Sequence, residues 1–405
     1  MPEPKYSKLV KHWLLDKSVT FLNHGSFGAC PTPILEKQSE YRKQLESEPL
    51  RFMMRECDAL LAKSKNKLSA FVNCNPGDLV FINNATSGVN TVLKSLNFKS
   101  GSEILITNHI YPACKNTIKK IAKEKNLTIK EIKIPLPVFN SSNITDKIIN
   151  GVNSKTAIVL IDHISSIPGI RFPVEGIVNE LNSRNIDVLV DGAHAPGMVP
   201  LNLNKLNAPY YTGNCHKWIC SPKGSAFLFV REDKQKLIKP LVTSRLYGEV
   251  KTTLSEMQYN FSWQGTFDPT PYICIADAID FMGSLFPGGW KELMKHNHEL
   301  ALSAGKKICN EFEIEFPYLD DLIAGLMGIP FFKDKKLSKR KLSLHDYSPL
   351  QDDLFYNYNI EVVVNYWEKA PQRILRISPQ VYNDISQYEY LIYALKKVKR
   401  LKSKR

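Results

Sequence analysis

Between residues 79 and 230 the sequence alternates short apolar runs with amphipathic stretches, and this alternation most constrains the fold. The runs at 104–107, 157–161 and 186–190 have the length and composition of buried strands. Stretches with helical periodicity, such as 173–184, separate them. Strands that alternate with helices of about 10–15 residues are typical of a parallel sheet with right-handed crossovers. We therefore predict an α/β fold with a mainly parallel sheet.

Polar residues follow several of the predicted strands at the point where each strand ends. These residues are Thr86–Ser87, 109–111, Asp162–His163, and Asp191 with His194. The carboxyl ends of parallel strands meet at one edge of a sheet, and ligands bind there in open α/β folds. The sequence therefore predicts one site to which these residues contribute.

The segment N-N-A-T-S-G-V-N, residues 83–90, joins an apolar run to a predicted helix through small polar residues. Such a turn gathers backbone amides and hydroxyls at a helix N-terminus, where they can hold an anion. The segment lacks the Gly-x-x-x-x-Gly-Lys spacing of a nucleoside-triphosphate loop. Ordinary N-capping by Thr86 or Ser87 explains it equally well.

Asp191 stands at the end of a predicted buried strand, and Lys217 follows it within about one αβ unit in a His-Lys pair. Pyridoxal phosphate (PLP) chemistry uses such an arrangement. The acid pairs with the pyridine nitrogen, and the lysine holds the aldehyde as a Schiff base. A strand-end acid in a turn and a surface lysine would give the same pattern. On these two residues alone, both interpretations stay open.

The composition is ordinary for a globular protein. The 405 residues are 43% hydrophobic and carry a net charge of +14, seven units of which come from residues 396–405. A solvated basic tail explains that charge, so we predict no specific nucleic-acid or membrane partner. The eight cysteines form no Cys-x-x-Cys pair, and no His/Cys cluster has zinc spacing, so no metal is predicted. Because no signal-like or membrane-spanning apolar run is present, we expect a cytoplasmic protein.

We predict two domains flanked by two short terminal segments. A loop with two glycines and two prolines, 21–33, is expected to cross the site, and a lysine-rich surface insertion is expected at 333–341. The predicted units are an N-terminal leader that packs with the small domain (1–20), a large cofactor-binding domain (21–288), a small α+β C-terminal domain (289–395) and a basic tail (396–405).

Seven motifs in order resemble those of class V aminotransferase-type, fold type I PLP enzymes. They are F-L-N-H-G-S-F-G, N-A-T-S-G-V-N, D-G-A-H-A-P-G, T-G-N-C-H-K-W, P-K-G-S-A-F-L, W-Q-G-T-F-D and L-R-I-S-P-Q-V-Y-N. The branch that they resemble most contains isopenicillin N epimerases, hercynylcysteine sulfoxide lyases and cysteine desulfhydrases. The resemblance covers about residues 20 to 380. It implies a PLP-dependent transferase fold with a seven-stranded large-domain sheet.

The resemblance assigns the cofactor-binding residues. Lys217 would be the Schiff-base lysine, and Asp191 would keep the pyridinium nitrogen protonated. His194 would contact the phenolic oxygen of the cofactor. Tyr111 would stack on the pyridine ring, although a core tyrosine is the alternative for that position. The phosphate would be held by Thr86 and Ser87 with help from His216.

Two further features follow from the same resemblance. Gly265-Thr266 resembles a loop that in this family reaches the phosphate of the partner subunit, which implies a homodimer with shared active sites. Arg376 falls where the family binds the substrate carboxylate with a bidentate guanidinium, and a surface ion pair is its alternative. We predict that Asn23 and His24 also bind substrate. His163 and Arg55 could line the same side of the site, and a purely structural role is the alternative for all four residues.

Four reactions compete once the Cα proton is removed: transamination, sulfur transfer to an enzyme cysteine, β-elimination and epimerisation. Persulfide-forming desulfuration needs a cysteine shortly before the carboxylate-binding arginine, and none lies between Asp320 and Arg376. Cys215 and Cys220, which flank Lys217, fit small buried thiols. The resemblance therefore favours a C–S β-lyase on a cysteine conjugate or sulfoxide, for example one of ergothioneine biosynthesis. An epimerase, an aminotransferase and a non-enzymatic scaffold are the alternatives.

Overall fold

The computed structural model describes residues 3–138, 140–248, 250, 252–333, 348–367 and 371–403. Residues 334–341 of the predicted lysine-rich insertion and 404–405 of the basic tail lie outside these ranges. The strands are β1 (Thr20–Phe21), β2 (Leu79–Ile82), β3 (Glu103–Thr107), β4 (Thr128–Ile132), β5 (Thr156–Asp162), β6 (Asp187–Asp191), β7 (Tyr210–Asn214), β8 (Ala226–Val230), β9 (Met327–Phe331), β10 (Ile360–Glu361), β11 (Val363–Tyr366) and β12 (Arg373–Ile377).

The α-helices, in chain order, are α1 (His24–Phe27), α2 (Thr32–Ser47), α3 (Pro49–Arg51), α4 (Cys57–Val72), α5 (Ala85–Ser95), α6 (Pro112–Glu124), α7 (Ser141–Gly151), α8 (Val174–Ser183), α9 (Leu203–Leu206), α10 (Glu256–Ser262), α11 (Thr270–Ser284), α12 (Gly289–Phe312), α13 (Pro349–Tyr358) and α14 (Ile385–Ser403). One π-helical turn, Phe52–Glu56, joins α3 to α4. No helix in the described ranges is long and apolar enough to span a bilayer.

Seven strands form the central sheet in the order β2-β8-β7-β6-β5-β3-β4. β8 runs antiparallel to its neighbours β2 and β7. The other four pairings are parallel. The prediction of an α/β fold with a mainly parallel, seven-stranded sheet is confirmed.

Helices cover both faces of this sheet, so the inner strands are buried on both sides. Ile104 and Ile106 of β3 pack in one apolar cluster with α5 and α6, whereas Leu105 between them packs in the cluster on the other face. This two-sided burial explains why the parallel strands read as continuous apolar runs. The edge strand β4 carries Lys130 and Glu131, and charges of this kind protect an open sheet edge from pairing with another chain.

The C-terminal part forms a second, antiparallel sheet in the order β11-β12-β9. The N-terminal segment joins this part of the molecule: β1 pairs in parallel with β10, and the Trp13 ring packs edge-on against Tyr382 at 5.1 Å. A 3₁₀ turn over Lys8–His12 lies in this segment. The domain boundaries drawn from the sequence stay a prediction.

Gly88 lets α5 lie directly on the sheet. A Cβ atom at this position would stand 2.3 Å from Thr212 Oγ1 on β7 and 2.8 Å from Ile82 Cδ1 on β2. Thr212 cannot move freely, since its Oγ1 also donates a hydrogen bond to the Phe227 carbonyl at 3.0 Å. The glycine therefore sets how closely the N-terminus of α5 approaches the ends of the strands.

Replacing Gly88 with alanine should destabilise the protein by about 1–3 kcal/mol, because the added methyl overpacks the helix–sheet contact. Gly176 in α8 provides a matched control, since a Cβ there meets nothing within 4 Å. Gly176→Ala should stabilise by about 0.5–1 kcal/mol through helix propensity alone. Urea unfolding of both variants measures the difference, and equal effects at the two positions would contradict this account.

Candidate active site

Lys217 lies in the turn after β7, and its Nζ is 3.1 Å from His194 Nε2. The Trp218 indole donates a hydrogen bond to His194 Nδ1 at 3.4 Å, which leaves the histidine proton on Nε2, facing the lysine amine. Burial lowers the pKa of Lys217 to about 8, and the nearby charge of Arg376 acts in the same direction. The amine is therefore much closer to its neutral, nucleophilic form at neutral pH than an exposed lysine.

Two buried carboxylates stand side by side at the ends of β5 and β6. Asp162 and Asp191 are register partners on these parallel strands. Asp191 Oδ1 accepts a hydrogen bond from the Ala193 amide at 3.0 Å, and the Cys114 thiol lies 3.4 Å from Oδ2. Asp162 Oδ2 has no hydrogen-bond partner among the described residues. Burial raises the pKa of both carboxyls, and the Asp191 charge raises that of Asp162 further.

The environment of Asp191 fits the pyridinium ring of the predicted cofactor. Within the described ranges no lysine or arginine forms an ion pair with this carboxylate, although the side chain is almost inaccessible to solvent. A buried carboxylate is costly unless a cation or strong donor meets it. A protonated ring nitrogen is such a donor. Among the residues that the structure describes, no group of His, Cys, Asp or Glu side chains is arranged to hold a metal ion.

The phosphate end of the site is the N-terminus of α5. Asn84 caps this helix, its Oδ1 accepting hydrogen bonds from the Ser87 amide at 2.9 Å and the Ser87 hydroxyl at 3.2 Å. Asn214, at the end of β7, holds the Ala85 amide at 2.8 Å. Helix geometry leaves the Thr86 amide without an intrahelical acceptor. The Thr86 amide and hydroxyl, together with the helix dipole, therefore suit an anion, and Ser87 first serves the cap.

His216 lies beside Lys217 and is held by the backbone. Its Nδ1 donates to the Ser225 carbonyl at 3.0 Å, and burial lowers its pKa to about 4. In the neutral ring the other nitrogen, Nε2, is therefore an acceptor. His216 can donate to a phosphate oxygen only as the doubly protonated ring, which a neighbouring dianion favours.

Arg376 on β12 is a buried guanidinium held by neutral acceptors. Nη1 donates to the Ser166 carbonyl at 2.7 Å, and Nη2 donates to Asn23 Oδ1 at 2.9 Å and Ser26 Oγ at 2.5 Å. Nε has no acceptor among the described residues. Burial lowers the pKa of Arg376 to about 10. A surface ion pair, the alternative for this residue, is excluded because it is 5% exposed and forms no ion pair in the described structure.

Tyr111 and Thr266 are exposed residues. Tyr111 precedes α6 and is 42% exposed, so it is not a core tyrosine. Burial of part of its ring, and the negative charge of Asp191, raise the pKa of its hydroxyl. Thr266 lines a groove of about 760 Å³ that Ser87 also lines. Which subunit's phosphate Thr266 contacts stays a prediction.

The prediction that His24 binds substrate is wrong. Its Nε2 donates to the Lys217 carbonyl at 2.9 Å, and its Nδ1 lies 2.9 Å from the Tyr382 hydroxyl. Both ring nitrogens are thus used inside the protein, and the side chain is fully buried. The glycine-rich surroundings of His24 suggest a ligand-binding loop, but the ring packs behind the lysine.

Three other candidates fall in different places. Asn23 accepts a hydrogen bond from Arg376, and its role in substrate binding stays a prediction. His163 is buried, with Nδ1 2.9 Å from the Tyr211 hydroxyl, so it supports the sheet end. Arg55 lies exposed on the π-helical turn.

Five residues of the site were not predicted from the sequence: Ser26, Asn84, Cys114, Ser166 and Asn214. Four of them contact a predicted site residue, and Asn214 holds the Ala85 amide at the start of α5. Ser26, Asn84 and Asn214 lie within the quoted motifs, which was the available signal, whereas no local pattern singles out Cys114 or Ser166.

The profile of the family described as "Aminotransferase class-V" matches residues 23–342. The chain is 27% identical to isopenicillin N epimerase of Streptomyces clavuligerus, over 94% of this chain and 95% of that protein. It is 28% identical to hercynylcysteine sulfoxide lyase of Schizosaccharomyces pombe, over 82% and 86%. It is 25% identical to a probable chloroplastic L-cysteine desulfhydrase of Arabidopsis thaliana, over 93% and 82%.

The fold is similar to that of a cystine C–S lyase solved with its reaction product, cysteine persulfide. The TM-score is 0.77 at 21% identity, and the match covers 94% of this chain and 97% of the other. This likeness concerns the fold, and it confirms the predicted PLP-dependent transferase fold.

The buried histidines of this region should make the protein sensitive to acid. Burial lowers the pKa of folded His109 to about 4, whereas an unfolded histidine titrates near pH 6.5. Between these values the unfolded chain binds the extra proton, so this contribution to stability is complete above about pH 6.5 and is lost as the pH falls toward about 4. His163, with its pKa lowered to about 3, acts in the same direction.

His109→Gln isolates one such contribution, because the glutamine amide can still donate to the Ile134 carbonyl that His109 Nε2 contacts at 2.8 Å. Between about pH 6.5 and about pH 5, the variant should lose about 1.5 kcal/mol less unfolding free energy than the parent protein. Urea unfolding at the two pH values gives both numbers. An equal loss in the two proteins would show that His109 titrates normally in the fold.

Proposed function

Because the chain belongs to the class V aminotransferase family, we propose that it is a C–S β-lyase acting on a cysteine conjugate or sulfoxide. PLP, the cofactor predicted from Asp191 and Lys217, is the cofactor of this family and of this chain. The named relatives include a sulfoxide lyase, a desulfhydrase and an epimerase. The choice among these reactions rests on the side chains around Lys217 and Arg376.

The site offers a suitable residue for each functional group of PLP. Asp191 would hold the pyridine nitrogen, His194 the phenolic oxygen, and the N-terminus of α5 with Thr86 the phosphate. Lys217 would bind the aldehyde. When bound, PLP stabilises negative charge at the substrate Cα. The protein supplies orientation and proton transfer, for which the lowered pKa of Lys217 is suited.

The observation that carries the proposal of an amino-acid substrate is the buried Arg376 guanidinium. It has neutral acceptors, a free Nε and no acidic partner among the described residues. A buried cation of this kind is costly unless an anion meets it. The substrate carboxylate is the anion that matches its planar fork. With that carboxylate on Arg376, the amino group would point toward the cofactor at Lys217.

The burial of the cysteines near the site favours release of the substrate's sulfur over its transfer to the enzyme. A persulfide-forming enzyme needs an accessible thiolate near the substrate. Cys114, Cys215 and Cys220 surround the site but are fully buried, and burial raises the pKa of all three thiols. A β-lyase needs only one base and a leaving group on Cβ. Lys217 fills the first role, and a thiol or sulfenate of the substrate fills the second.

Epimerisation is the second candidate, and Tyr111 is the residue that favours it. An epimerase needs a proton donor on the face of Cα opposite the lysine. The partly exposed Tyr111 hydroxyl has a raised pKa and so stays protonated at neutral pH. Transamination requires no residue beyond Lys217, and a scaffold role would leave the buried charges of the site without a purpose.

The proposal includes a homodimer. Apolar side chains are exposed around the groove that Thr266 lines, among them Met54, Val242 and Leu254. Exposed apolar side chains grouped around one groove are unfavourable in water and favour an interaction site there. A second copy of the chain would cover it and bring Thr266 toward the partner's phosphate.

The lyase proposal predicts pyruvate from S-substituted cysteines and from their sulfoxides. Lys217→Ala should lower the rate by about 10²–10⁴-fold, because the base is lost. It should also abolish the visible absorbance band of the protein-bound cofactor. Lys223→Ala is the matched control, since Lys223 lies exposed in the same segment. Pyruvate is measured by coupling to lactate dehydrogenase.

The same reactions run in deuterium oxide separate the lyase from the epimerase. An epimerase exchanges the Cα hydrogen and releases no pyruvate. If the substrates exchange Cα hydrogen without pyruvate, the lyase assignment fails and Tyr111→Phe becomes the test of epimerisation. If Lys217→Ala keeps the absorbance band, the cofactor assignment of this lysine fails.

Hybrid dimers test whether Thr266 acts across the interface. Subunits carrying Lys217→Ala are combined with subunits carrying Thr266→Ala, and cofactor affinity is measured by equilibrium dialysis. If Thr266 serves the partner subunit, each hybrid has one site with both residues intact and one with neither, so one half of the sites keeps the parent affinity. If Thr266 serves its own subunit, every site lacks one of the two residues and no site keeps it.

A further inference from the structure

One short segment, residues 23–28, contacts both the residue that would bind the substrate carboxylate and the residue that would bind the cofactor. On one side, Asn23 Oδ1 and Ser26 Oγ accept hydrogen bonds from Arg376 Nη2. On the other side, His24 Nε2 donates to the Lys217 carbonyl. Asn23, His24 and Ser26 lie within four residues of one another, at the start of helix α1, so displacement at one contact is transmitted to the other.

The segment packs on the backbone of Lys217 without a gap. Gly28 has φ +70°, and a Cβ there would stand 2.1 Å from the His216 carbonyl oxygen and 3.0 Å from Lys217 Cα. His24 is fixed from behind by Tyr382, whose hydroxyl lies 2.9 Å from Nδ1. The Tyr382 hydroxyl and the Lys217 carbonyl together orient the His24 ring.

The hydrogen bonds of Arg376 show what a carboxylate would have to displace. Nη2 carries two hydrogens, and Asn23 Oδ1 and Ser26 Oγ accept from that nitrogen. The adjacent Nε has no acceptor among the described residues. A carboxylate that binds side-on to a guanidinium uses Nε and Nη2 together. The carboxylate therefore accepts a new hydrogen bond from Nε, and it competes with Asn23 and Ser26 for the hydrogens of Nη2.

We propose that residues 23–28 form a positioning element that couples carboxylate binding at Arg376 to the placement of Lys217. This inference rests on the proposed function, because it needs a substrate carboxylate at Arg376. The carboxylate replaces the Ser26 hydroxyl as an acceptor of Arg376 Nη2, and helix α1 shifts as a result. Because His24 donates to the Lys217 carbonyl, this shift also displaces Lys217. By linkage, the position of Lys217 in turn affects carboxylate affinity. Ser26 and His24 act through Arg376 and Lys217 and are positioning residues.

The test uses the PLP-loaded protein and propionate, a carboxylate without the amino group needed for reaction. Propionate affinity is measured by isothermal titration calorimetry. Hydrogen–deuterium exchange is followed in peptides that cover residues 20–29 and 213–221. In the parent protein, saturating propionate should change exchange in both peptides. Arg376→Ala should not bind propionate.

The propionate affinity of Ser26→Ala shows whether the carboxylate displaces the Ser26 hydroxyl or whether that hydroxyl only supports Arg376. If Ser26 is the group that the carboxylate displaces, its removal should strengthen propionate binding by about 3–10-fold, the usual range for one competing hydrogen bond. If Ser26 only holds Arg376 in place, its removal should weaken binding. Weaker binding in Ser26→Ala would overturn the proposal.

His24→Asn tests transmission. Propionate should still bind to this variant and change exchange at residues 20–29, but the change at 213–221 should fall at least about three-fold. Tyr382→Phe, which keeps the imidazole and removes only the hydroxyl beside Nδ1, gives a smaller loss at 213–221 and covers the case in which His24→Asn does not fold. An unchanged response at 213–221 in both variants overturns the coupling. Propionate binding that survives in Arg376→Ala contradicts the proposed carboxylate site instead.

Discussion

The burial of charged groups at one edge of the sheet is the constraint on which this structure depends. Asp162 and Asp191 are brought together by the parallel register of β5 and β6, in a position that water hardly reaches. Their mutual repulsion and desolvation oppose folding, so the arrangement is stable only with a proton or a cation nearby. A PLP pyridinium at Asp191 would supply that cation, and burial beside Asp191 raises the pKa of Asp162, which favours its protonated form. Cofactor binding would therefore stabilise the fold as well as serve chemistry.

Neutral polar residues hold the functional groups in place around these charges. Asn84 and Asn214 fix the first turn of α5, and Gly88 sets its distance from β7. Trp218 fixes the tautomer of His194, and through it the environment of the lysine amine. None of these residues changes charge near neutral pH. The site is therefore preorganised, and its electrostatics depend on the few ionisable groups that the supports orient.

The sequence predicted features that local patterns encode, and missed those that depend on pairing across the chain. Apolar runs identified the strands, and the roles of Asp191 and Lys217 were predicted because seven motifs in order resemble those of class V PLP enzymes. The position of β8 between β2 and β7 has no local signal, since its run is as apolar as that of a parallel strand. The contact of His24 with the Lys217 carbonyl also has no local signal, because the two residues are 193 positions apart in the sequence.

Arg376 and Lys217 are also coupled by charge. The Arg376 cation is one of the causes that lower the pKa of Lys217, second only to burial. A substrate carboxylate at Arg376 neutralises that cation and removes its repulsion of a proton on the lysine amine. The Lys217 amine would therefore be a stronger base when the carboxylate is in place. The electrostatic coupling and the contact through residues 23–28 would act together, and both would make proton removal depend on a correctly bound amino acid.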